Sequence, residues 1–233
     1  MQQTLAKLNI VGVGPGSPDY VTPAARKTVQ QAEVVIGAQR SLNLFTEDIN
    51  GEAMVLTAKN LNSVLKFAVE SAEKGMNVAL LSTGDPGFSG LLRTVLKSNL
   101  IKAEEVNVVP GVSSIQTCAA RLGISWDDAC LFSFHEGNVS IEEKNKLLSC
   151  LKKGRDAILL PDSRAFPPGE IASFLLKAGL NKEMRVFVCE NLTLDDERVK
   201  SSSLEQVSKQ AFGALCVMVI KANRKLKGQV DCK

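Results

Sequence analysis

The sequence predicts an α/β protein of two domains, the first with a mostly parallel sheet and the second with a mixed sheet. Two observations lead to this class. Short apolar runs alternate with longer stretches of helical period, and the alternation begins again after residue 122. With 233 residues the chain is long enough for two small domains, which we expect to span residues 1–122 and 123–233.

In the first half, apolar runs predict five strands with helices between them. Thr22-Pro23 is a typical helix start, because threonine caps and proline suits the first helical position. Another helix runs from about residue 61 to 74 and ends at Gly75. The predicted strands are residues 8–12, 33–36, 55–56, 78–82 and 106–109.

The second half follows a helix predicted at 113–122 and shows the same alternation. Residues 197–200 are expected to add a short strand before a helix at 204–210, which makes this sheet mixed. Ser201-Ser202-Ser203 between them is interpreted as a turn. The remaining predicted strands are 130–134, 157–160, 185–189 and 215–220, and the remaining helices are 141–152 and 170–178.

The composition is typical of a globular protein outside the membrane. Hydrophobic residues make up 45% of the chain, charged residues 23%, and mean hydropathy is +0.04. The apolar runs are of strand length, well short of the roughly 20 residues of a membrane helix. Because the first residues lack the apolar segment of a signal peptide, we expect the protein in the cytoplasm.

The charge and the cysteine pattern argue against a nucleic-acid-binding surface and against a metal site. The net charge is +3 and aromatic residues make up 5% of the chain, which does not favour a nucleic-acid platform. The six cysteines form no CxxC pair, and the chain has one histidine. We therefore expect reduced structural thiols and no metal site.

The first strand ends in a glycine- and proline-rich loop, Gly12-Val13-Gly14-Pro15-Gly16. A dinucleotide-binding loop would lead into a helix whose N–H groups meet a pyrophosphate, but Pro15 and Pro18 lack those donors. The loop is instead a stiff wall along which backbone can approach a bulky ligand, or a turn with no ligand.

A second glycine-rich loop, Gly84-Asp85-Pro86-Gly87, follows the predicted strand 78–82. Loops at the carboxyl ends of parallel strands are where open α/β sheets bind ligands. Glycines there leave backbone groups accessible to a small polar molecule. Asp85 either attracts an ammonium group or caps the following helix.

A third loop, Pro110-Gly111-Val112-Ser113-Ser114, joins a predicted strand to a predicted helix. Ser113 is either a helix cap alone or, with the neighbouring hydroxyl and amides, part of a site for a carboxylate or ribose. Three such loops in one domain indicate a ligand site more strongly than any one of them.

The order of these motifs resembles the tetrapyrrole methyltransferases, which act on uroporphyrinogen and on cobalamin precursors. The resemblance covers nearly the whole chain and includes Val21-Thr22-Pro23 after the first loop. It implies two α/β domains, S-adenosylmethionine in the cleft between them, C-methylation of a corrin precursor, and a homodimer. It also implies a functional partner, a separate C(15)-methyltransferase/decarboxylase.

Site residues carry over from the family by position. The methionine part of the cofactor is assigned to Gly84, Asp85 and Pro86 with Gly87 and Phe88 beside them, and Ser113 and Ser114 lie near it. Leu160, Pro161, Asn191 and Ala214 border the adenosine, and Gly14, Pro15 and Gly16 face the tetrapyrrole. Where relatives often have His-Gly-Arg, this chain has His135-Glu136-Gly137-Asn138. A substrate-binding role assigned to that arginine therefore has no counterpart residue here.

Methyl transfer to an electron-rich ring carbon needs alignment and desolvation rather than a catalytic triad or a metal. His135 or Asp85 is a candidate for removing a proton afterwards, although His135 is equally interpreted as structural. The substrate's carboxylates favour arginines, and the candidates are Arg26, Arg40, Arg93 and Arg164, with solvated surface charge as the alternative. Rival functions are methylation of uroporphyrinogen, a protein side chain or ribosomal RNA, and tetrapyrrole binding without catalysis.

Overall fold

The computed structural model describes residues 8–135 and 139–222. Its contacts divide the chain into two compact units, residues 1–114 and 115–233. This division falls before the helix that the sequence analysis assigned to the first domain. The domain boundary after residue 122 stays a prediction.

The sheet of the first unit contains five parallel strands among the described residues, in the order β3-β2-β4-β1-β5. Four strands lie where the sequence predicts them, to within a residue at each end. The third begins three residues before its predicted position, and it is an edge strand with mostly exposed residues. The strands are β1 (Leu8–Gly12), β2 (Val34–Gly37), β3 (Glu52–Val55), β4 (Val78–Ser82) and β5 (Val106–Val109).

Helices cover both faces of this sheet. They are α1 (Pro23–Gln30), the short α2 (Gln39–Leu42), α3 (Leu61–Glu73) and α4 (Leu91–Lys97). On one face Ile10 and Leu80 pack with Val64 of α3. On the other, alternate strand residues such as Val11 and Leu81 pack with α1 and with Phe45, as the period of two along a strand requires.

Local residues determine where α1 begins and where α3 ends. Thr22 caps α1 as predicted, its Oγ1 accepting from the N–H of Ala25 at 3.1 Å. After α3, Gly75 adopts a φ of +92°, which lets the chain reverse without steric cost. Helix α2 was not predicted, because it is a single turn without an apolar stripe.

The second unit has a mixed sheet in the order β6-β7-β10-β8-β9 within the described residues. Only β6 and β7 are parallel, and each other neighbouring pair is antiparallel. The strands are β6 (Cys130–Ser133), β7 (Ala157–Leu160), β8 (Arg185–Glu190), β9 (Arg198–Ser203) and β10 (Cys216–Ile220); the helices are α5 (Ser114–Arg121), α6 (Ile141–Lys152), α7 (Pro168–Lys177) and α8 (Leu204–Val207).

The interpretation of Ser201-Ser202-Ser203 as a turn is wrong. These serines complete β9, which pairs with β8 from Arg185↔Ser203 to Glu190↔Arg198. Ser203 then caps α8 by accepting from the N–H of Gln206 at 3.2 Å. The strand exists because β8 supplies its hydrogen-bond partners, and its own residues have little strand propensity.

The core of the second unit lies between one sheet face and helices α6, α7 and α8. Its fully buried residues include Leu147, Leu159, Ile171 and Met218. No described helix is long and apolar enough to cross a membrane.

Candidate functional site

Three loops meet at the carboxyl edge of the parallel sheet in the first unit, each following a different strand. The loop after β1 and the loop after β4 are joined by backbone hydrogen bonds. Gly84 N–H donates to Gly14 O at 2.8 Å, and Gly14 N–H donates to Gly84 O at 3.4 Å. Parallel strands bring these glycines together across a long stretch of sequence.

The third loop packs closely against the backbone of the other two. A Cβ atom added to Gly111 would lie 2.4 Å from Gly84 O, and one added to Gly12 would lie 2.5 Å from Gly111 N. Neither contact is tolerable. Gly12, Gly84 and Gly111, which we call the glycine junction, therefore fix the spacing of all three loops, a role that the sequence analysis did not identify.

Asp85 ties the second loop to the third. Its Oδ1 accepts from Gly87 N–H at 2.8 Å, and its Oδ2 accepts from Gly111 N–H at 3.1 Å. A carboxylate is well suited to this position because each oxygen accepts a separate backbone donor.

The helix-cap alternative for Asp85 is wrong. Helix α4 begins at Leu91 after Gly90, and the N–H of Leu91 donates to Ser82 Oγ at 3.1 Å. The preceding turn is compact: a Cβ on Gly90 would lie 2.7 Å from the backbone of Pro86. Asp85 is therefore held inside the loop, away from the helix start.

The predicted cofactor residues of the first unit come together. Gly84 has a φ of +70°, and a Cβ added there would meet nothing closer than Ser113 Cα and Ser114 N, both at 3.9 Å. Ser113 is buried directly before α5. The backbone of Gly84 thus faces the start of α5 with room beside it.

The loop that the sequence analysis assigned to the substrate is stiff. A Cβ on Gly14, whose φ is +81°, would lie 2.8 Å from Tyr20 O. Pro15 and Gly16 lead into a 3-10 turn at Pro18–Tyr20, whose start is capped by Ser17 Oγ. This rigidity fits the stiff wall that the sequence predicts.

The four candidate arginines have different surroundings. Arg26 pairs with the buried Asp48, which also accepts from Gln30 Nε2 at 2.8 Å, so the charge of Arg26 is compensated within its own unit. Arg40 donates to Thr83 Oγ1 at 3.2 Å and so lies beside the second loop. Arg93 lies on α4 in an open groove that also contacts Gly87. The fourth, Arg164, lies in the second unit, in the turn after β7.

In the second unit, the residues assigned to the adenosine share one edge of the mixed sheet. Because β10 is antiparallel to β7 and β8, Ala214 before β10 lies at the same edge as Leu160-Pro161 after β7 and Asn191 after β8. The N–H of Asn191 donates to Leu215 O at 2.9 Å. The sequence prediction therefore groups residues that the sheet does bring to one edge.

Charged side chains hold this edge. Asn191, with a φ of +52°, donates to Asp196 at 2.7 Å. Glu197 accepts from Arg121 Nε at 2.7 Å and from Thr193 N–H at 2.6 Å. Hydrogen bonding to Arg121 and to this backbone donor holds the pKa of Glu197 below its usual value.

His135 follows β6 and is exposed, while Asp162 follows the neighbouring parallel strand β7. The N–H groups of Ala165 and Arg164 both donate to Asp162 Oδ1, at 2.7 and 2.8 Å. These bonds, helped by the charge of His135, hold the pKa of Asp162 below its usual value. Glu136, Gly137 and Asn138 lie outside the described residues.

A buried carboxylate that the sequence analysis did not assign lies beside the same edge. Glu190 Oε1 accepts from Gly213 N–H at 2.6 Å and from Arg198 Nη2 at 3.2 Å. It lines a hollow of about 470 Å³ with Lys200 and Phe212. A buried glutamate that directly ends an apolar strand was the available signal in the sequence.

The described cysteines are free thiols, and Cys118 and Cys189 lie 3.5 Å apart, sulfur to sulfur. Cys232 lies outside the described residues. Within those residues, no cluster of three His, Cys, Asp or Glu side chains could hold a metal ion.

The parallel sheet with its glycine junction, followed by the mixed sheet, is the architecture of a two-domain α/β methyltransferase. The sequence pattern described as Tetrapyrrole (Corrin/Porphyrin) Methylases matches residues 7–208, and the chain belongs to this family. It is a methyltransferase.

Three individual proteins show which members of the family this chain is similar to. The chain is 37% identical over 218 residues to a probable cobalt-precorrin-7 C(5)-methyltransferase of Methanocaldococcus jannaschii, covering 93% of this chain and 99% of that one. It is 32% identical to the cobalt-precorrin-7 C(5)-methyltransferase of Salmonella typhimurium, with coverages of 82% and 88%. The crystal structure of a precorrin-6Y methylase of cobalamin biosynthesis from Archaeoglobus fulgidus matches with a TM-score of 0.69 and 26% identity, covering 93% and 97%.

Proposed function

We propose that the protein transfers a methyl group from S-adenosylmethionine to ring carbon 5 of cobalt-precorrin-7, giving cobalt-precorrin-8 in cobalamin biosynthesis. The observation that carries this proposal is the 37% identity to the M. jannaschii relative, because it extends over 93% of this chain and 99% of the other. The Archaeoglobus relative is named for precorrin-6Y, so the state of the ring is the part of the proposal that most needs a test.

The proposed seat of the methionine part is the loop of Gly84, Asp85 and Pro86, with Gly87 and Phe88 beside it. Support comes from the room beside Gly84, where an added Cβ would meet nothing closer than Ser113 and Ser114 at 3.9 Å. Both Asp85 oxygens accept backbone N–H groups, yet each keeps a lone pair for the cofactor's ammonium group. For the adenosine we propose Leu160, Pro161, Asn191 and Ala214, which share one sheet edge.

S-adenosylmethionine supplies an electrophilic methyl group on a sulfonium. The ring carbon forms the new C–C bond as the C–S bond breaks, S-adenosylhomocysteine leaves, and the methylated ring loses a proton. The rigid loops orient the reactants in line and exclude water, which provides most of the acceleration. Of the two proposed proton acceptors, His135 is the better supported, since both Asp85 oxygens are engaged by backbone donors.

Calorimetry with S-adenosylmethionine and with S-adenosylhomocysteine tests the cofactor, and lack of binding by both would overturn the whole proposal. Mass spectrometry then tests the acceptor: cobalt-precorrin-7 should gain one methyl group, and NMR of the product should place it at carbon 5. If the protein binds the cofactor but methylates uroporphyrinogen, a protein or ribosomal RNA, the proposed substrate is wrong and that acceptor takes its place. Pigment binding without consumption of the cofactor would indicate a carrier.

Assembly and location are separate parts of the proposal. We expect the protein to be a homodimer. Its proposed substrate-binding residues are Gly14, Pro15, Gly16, Arg26 and Arg93. The expected functional partner is a separate C(15)-methyltransferase/decarboxylase. Analytical ultracentrifugation at several concentrations tests the dimer. The cytoplasmic location expected from the sequence is tested by cell fractionation.

A further inference from the structure

The turn that follows β8 contains two residues in the left-handed region of backbone conformation. Asn191 has a φ of +52° and Thr193 has a φ of +70°. Within the described part of the second unit, these are the only non-glycine residues with a positive φ. Asparagine tolerates this conformation, whereas threonine is strained in it because its branched side chain crowds the backbone. The turn therefore stores strain at Thr193.

Backbone hydrogen bonds set the path of the chain through this turn. Leu194 N–H donates to Asn191 O at 3.0 Å, and Glu197 N–H donates to Leu194 O at 3.0 Å. Asn191 N–H donates to Leu215 O at 2.9 Å, which joins the turn to the segment before β10. None of these three bonds is made by the strained residue itself.

A carboxylate holds the strained residue in place. Glu197 Oε2 accepts from Thr193 N–H at 2.6 Å. A hydrogen bond to an ionised acceptor is stronger than one between neutral groups. The side chain of Glu197 is 21% exposed, so solvent screens this bond only in part. Glu197 therefore stabilises a conformation that threonine by itself disfavours.

Arg121 of helix α5 orients that carboxylate. Its Nε donates to Glu197 Oε1 at 2.7 Å, and its Nη2 donates to Oε2 at 3.4 Å. Two bonds from one planar guanidinium fix the plane of the carboxylate as well as its distance. The same helix contacts β8 directly, since the sulfur atoms of Cys118 and Cys189 lie 3.5 Å apart. The ion pair therefore ties the turn to a helix that packs on the preceding strand.

We propose that Arg121 and Glu197 are positioning residues for the adenosine part of the cofactor. Acting through Thr193, they hold the turn in the conformation in which Asn191 meets the adenosine. The inference rests on the proposed function, which assigns Asn191 to the adenosine. Asn191 precedes Thr193 by two residues and donates to Asp196 within the same turn at 2.7 Å. A turn that relaxes at Thr193 therefore moves Asn191 as well.

The test measures the Kd of S-adenosylhomocysteine and of methylthioadenosine by calorimetry. Glu197→Ala should raise both Kd values about tenfold, which corresponds to the strain of one residue. Arg121→Met should raise them about threefold, because the carboxylate remains but is no longer oriented. Methylthioadenosine lacks the amino-acid part of the cofactor, so equal losses for both ligands place the effect at the adenosine. Glu142→Ala is the matched control: Glu142 pairs with Lys146 on the surface of α6, and both Kd values should equal those of the wild type.

Glycine at the strained residue separates positioning from a direct contact with the cofactor. Because glycine adopts a positive φ without strain, adding Thr193→Gly to Glu197→Ala should restore both Kd values to within about twofold of the wild type. If Glu197→Ala does not fold, Arg121→Met with and without Thr193→Gly makes the same comparison.

Two results would overturn the positioning role. One is a wild-type Kd in Glu197→Ala and Arg121→Met, and the other is a loss of affinity that Thr193→Gly does not restore. If the wild-type protein binds neither ligand, the proposed function fails instead, so the two failures can be told apart.

Discussion

The two sheet edges that we propose to face the ligands are built by different means. In the first unit, loops are held by backbone packed on backbone at Gly12, Gly84 and Gly111, with Asp85 as the single side-chain tie. In the second unit, the corresponding loops are held by charged side chains such as Glu197. The first edge should therefore be sensitive to added volume, and the second to changes of charge and pH.

The largest expected effect is from Gly111→Ala. Its Cβ would lie 2.4 Å from Gly84 O and 2.7 Å from Gly12 C, so backbone must shift. We expect a loss of about 3 kcal/mol in the free energy of unfolding, measured in urea. Gly179→Ala is the control: its φ of +82° costs about 1 kcal/mol, but nothing lies within 4 Å of the new Cβ. Equal losses in both variants would mean that the junction tolerates volume.

Asp85→Asn tests the single side-chain tie at the first edge. The amide NH₂ cannot accept, so one of the N–H groups of Gly87 and Gly111 loses its partner. The expected cost is about 2 kcal/mol in unfolding free energy, with cofactor affinity about tenfold lower by calorimetry. Asp127→Asn, at an exposed turn, should leave the affinity unchanged. Wild-type affinity in Asp85→Asn would remove Asp85 from the cofactor site.

Glu197→Gln tests the edge of the second sheet, which charged side chains hold. The variant should lose about 1 kcal/mol of unfolding free energy near neutral pH. Because the pKa of Glu197 is depressed in the folded protein, its stabilisation is present above the unfolded value of 4.5 and is lost as pH falls below it. The variant should therefore show a flatter dependence of unfolding free energy on acid pH. The exposed pair Glu142–Lys146 provides the control, since Glu142→Gln should match wild type. Parallel pH curves for wild type and Glu197→Gln would contradict this account.

The smallest expected effect is the labelling of the buried cysteines by a thiol reagent in the folded protein. Burial, with a further contribution from Glu190, raises the pKa of Cys216 to about 12, and burial raises that of Cys150 to about 12. Iodoacetamide at mildly alkaline pH should label neither thiol in the folded protein, as read by peptide mass spectrometry. Both should react in urea, and rapid labelling of Cys216 without urea would show that the second edge opens.

The sequence predicted the elements better than it predicted their contacts. Apolar runs located the buried strands β1, β4 and β7 to the residue, because buried strands are rich in apolar residues, and they also located the edge strand β5. Edge strand β3 was displaced, and the serines of β9 were taken for a turn. The serines of β9 form a strand because they pair with β8, and a local pattern carries no record of that neighbour.

By itself the sequence determined that three glycine-rich loops follow strands of one domain, and that this order is that of the tetrapyrrole methylases. Only the tertiary structure decided that Gly12, Gly84 and Gly111 touch, that Asp85 bonds to Gly111 rather than to a helix, and that β10 lies between β7 and β8. The physical reason is range. Strand propensity and helix caps act over a few residues, whereas these contacts join residues far apart in the chain and form only when the sheets assemble.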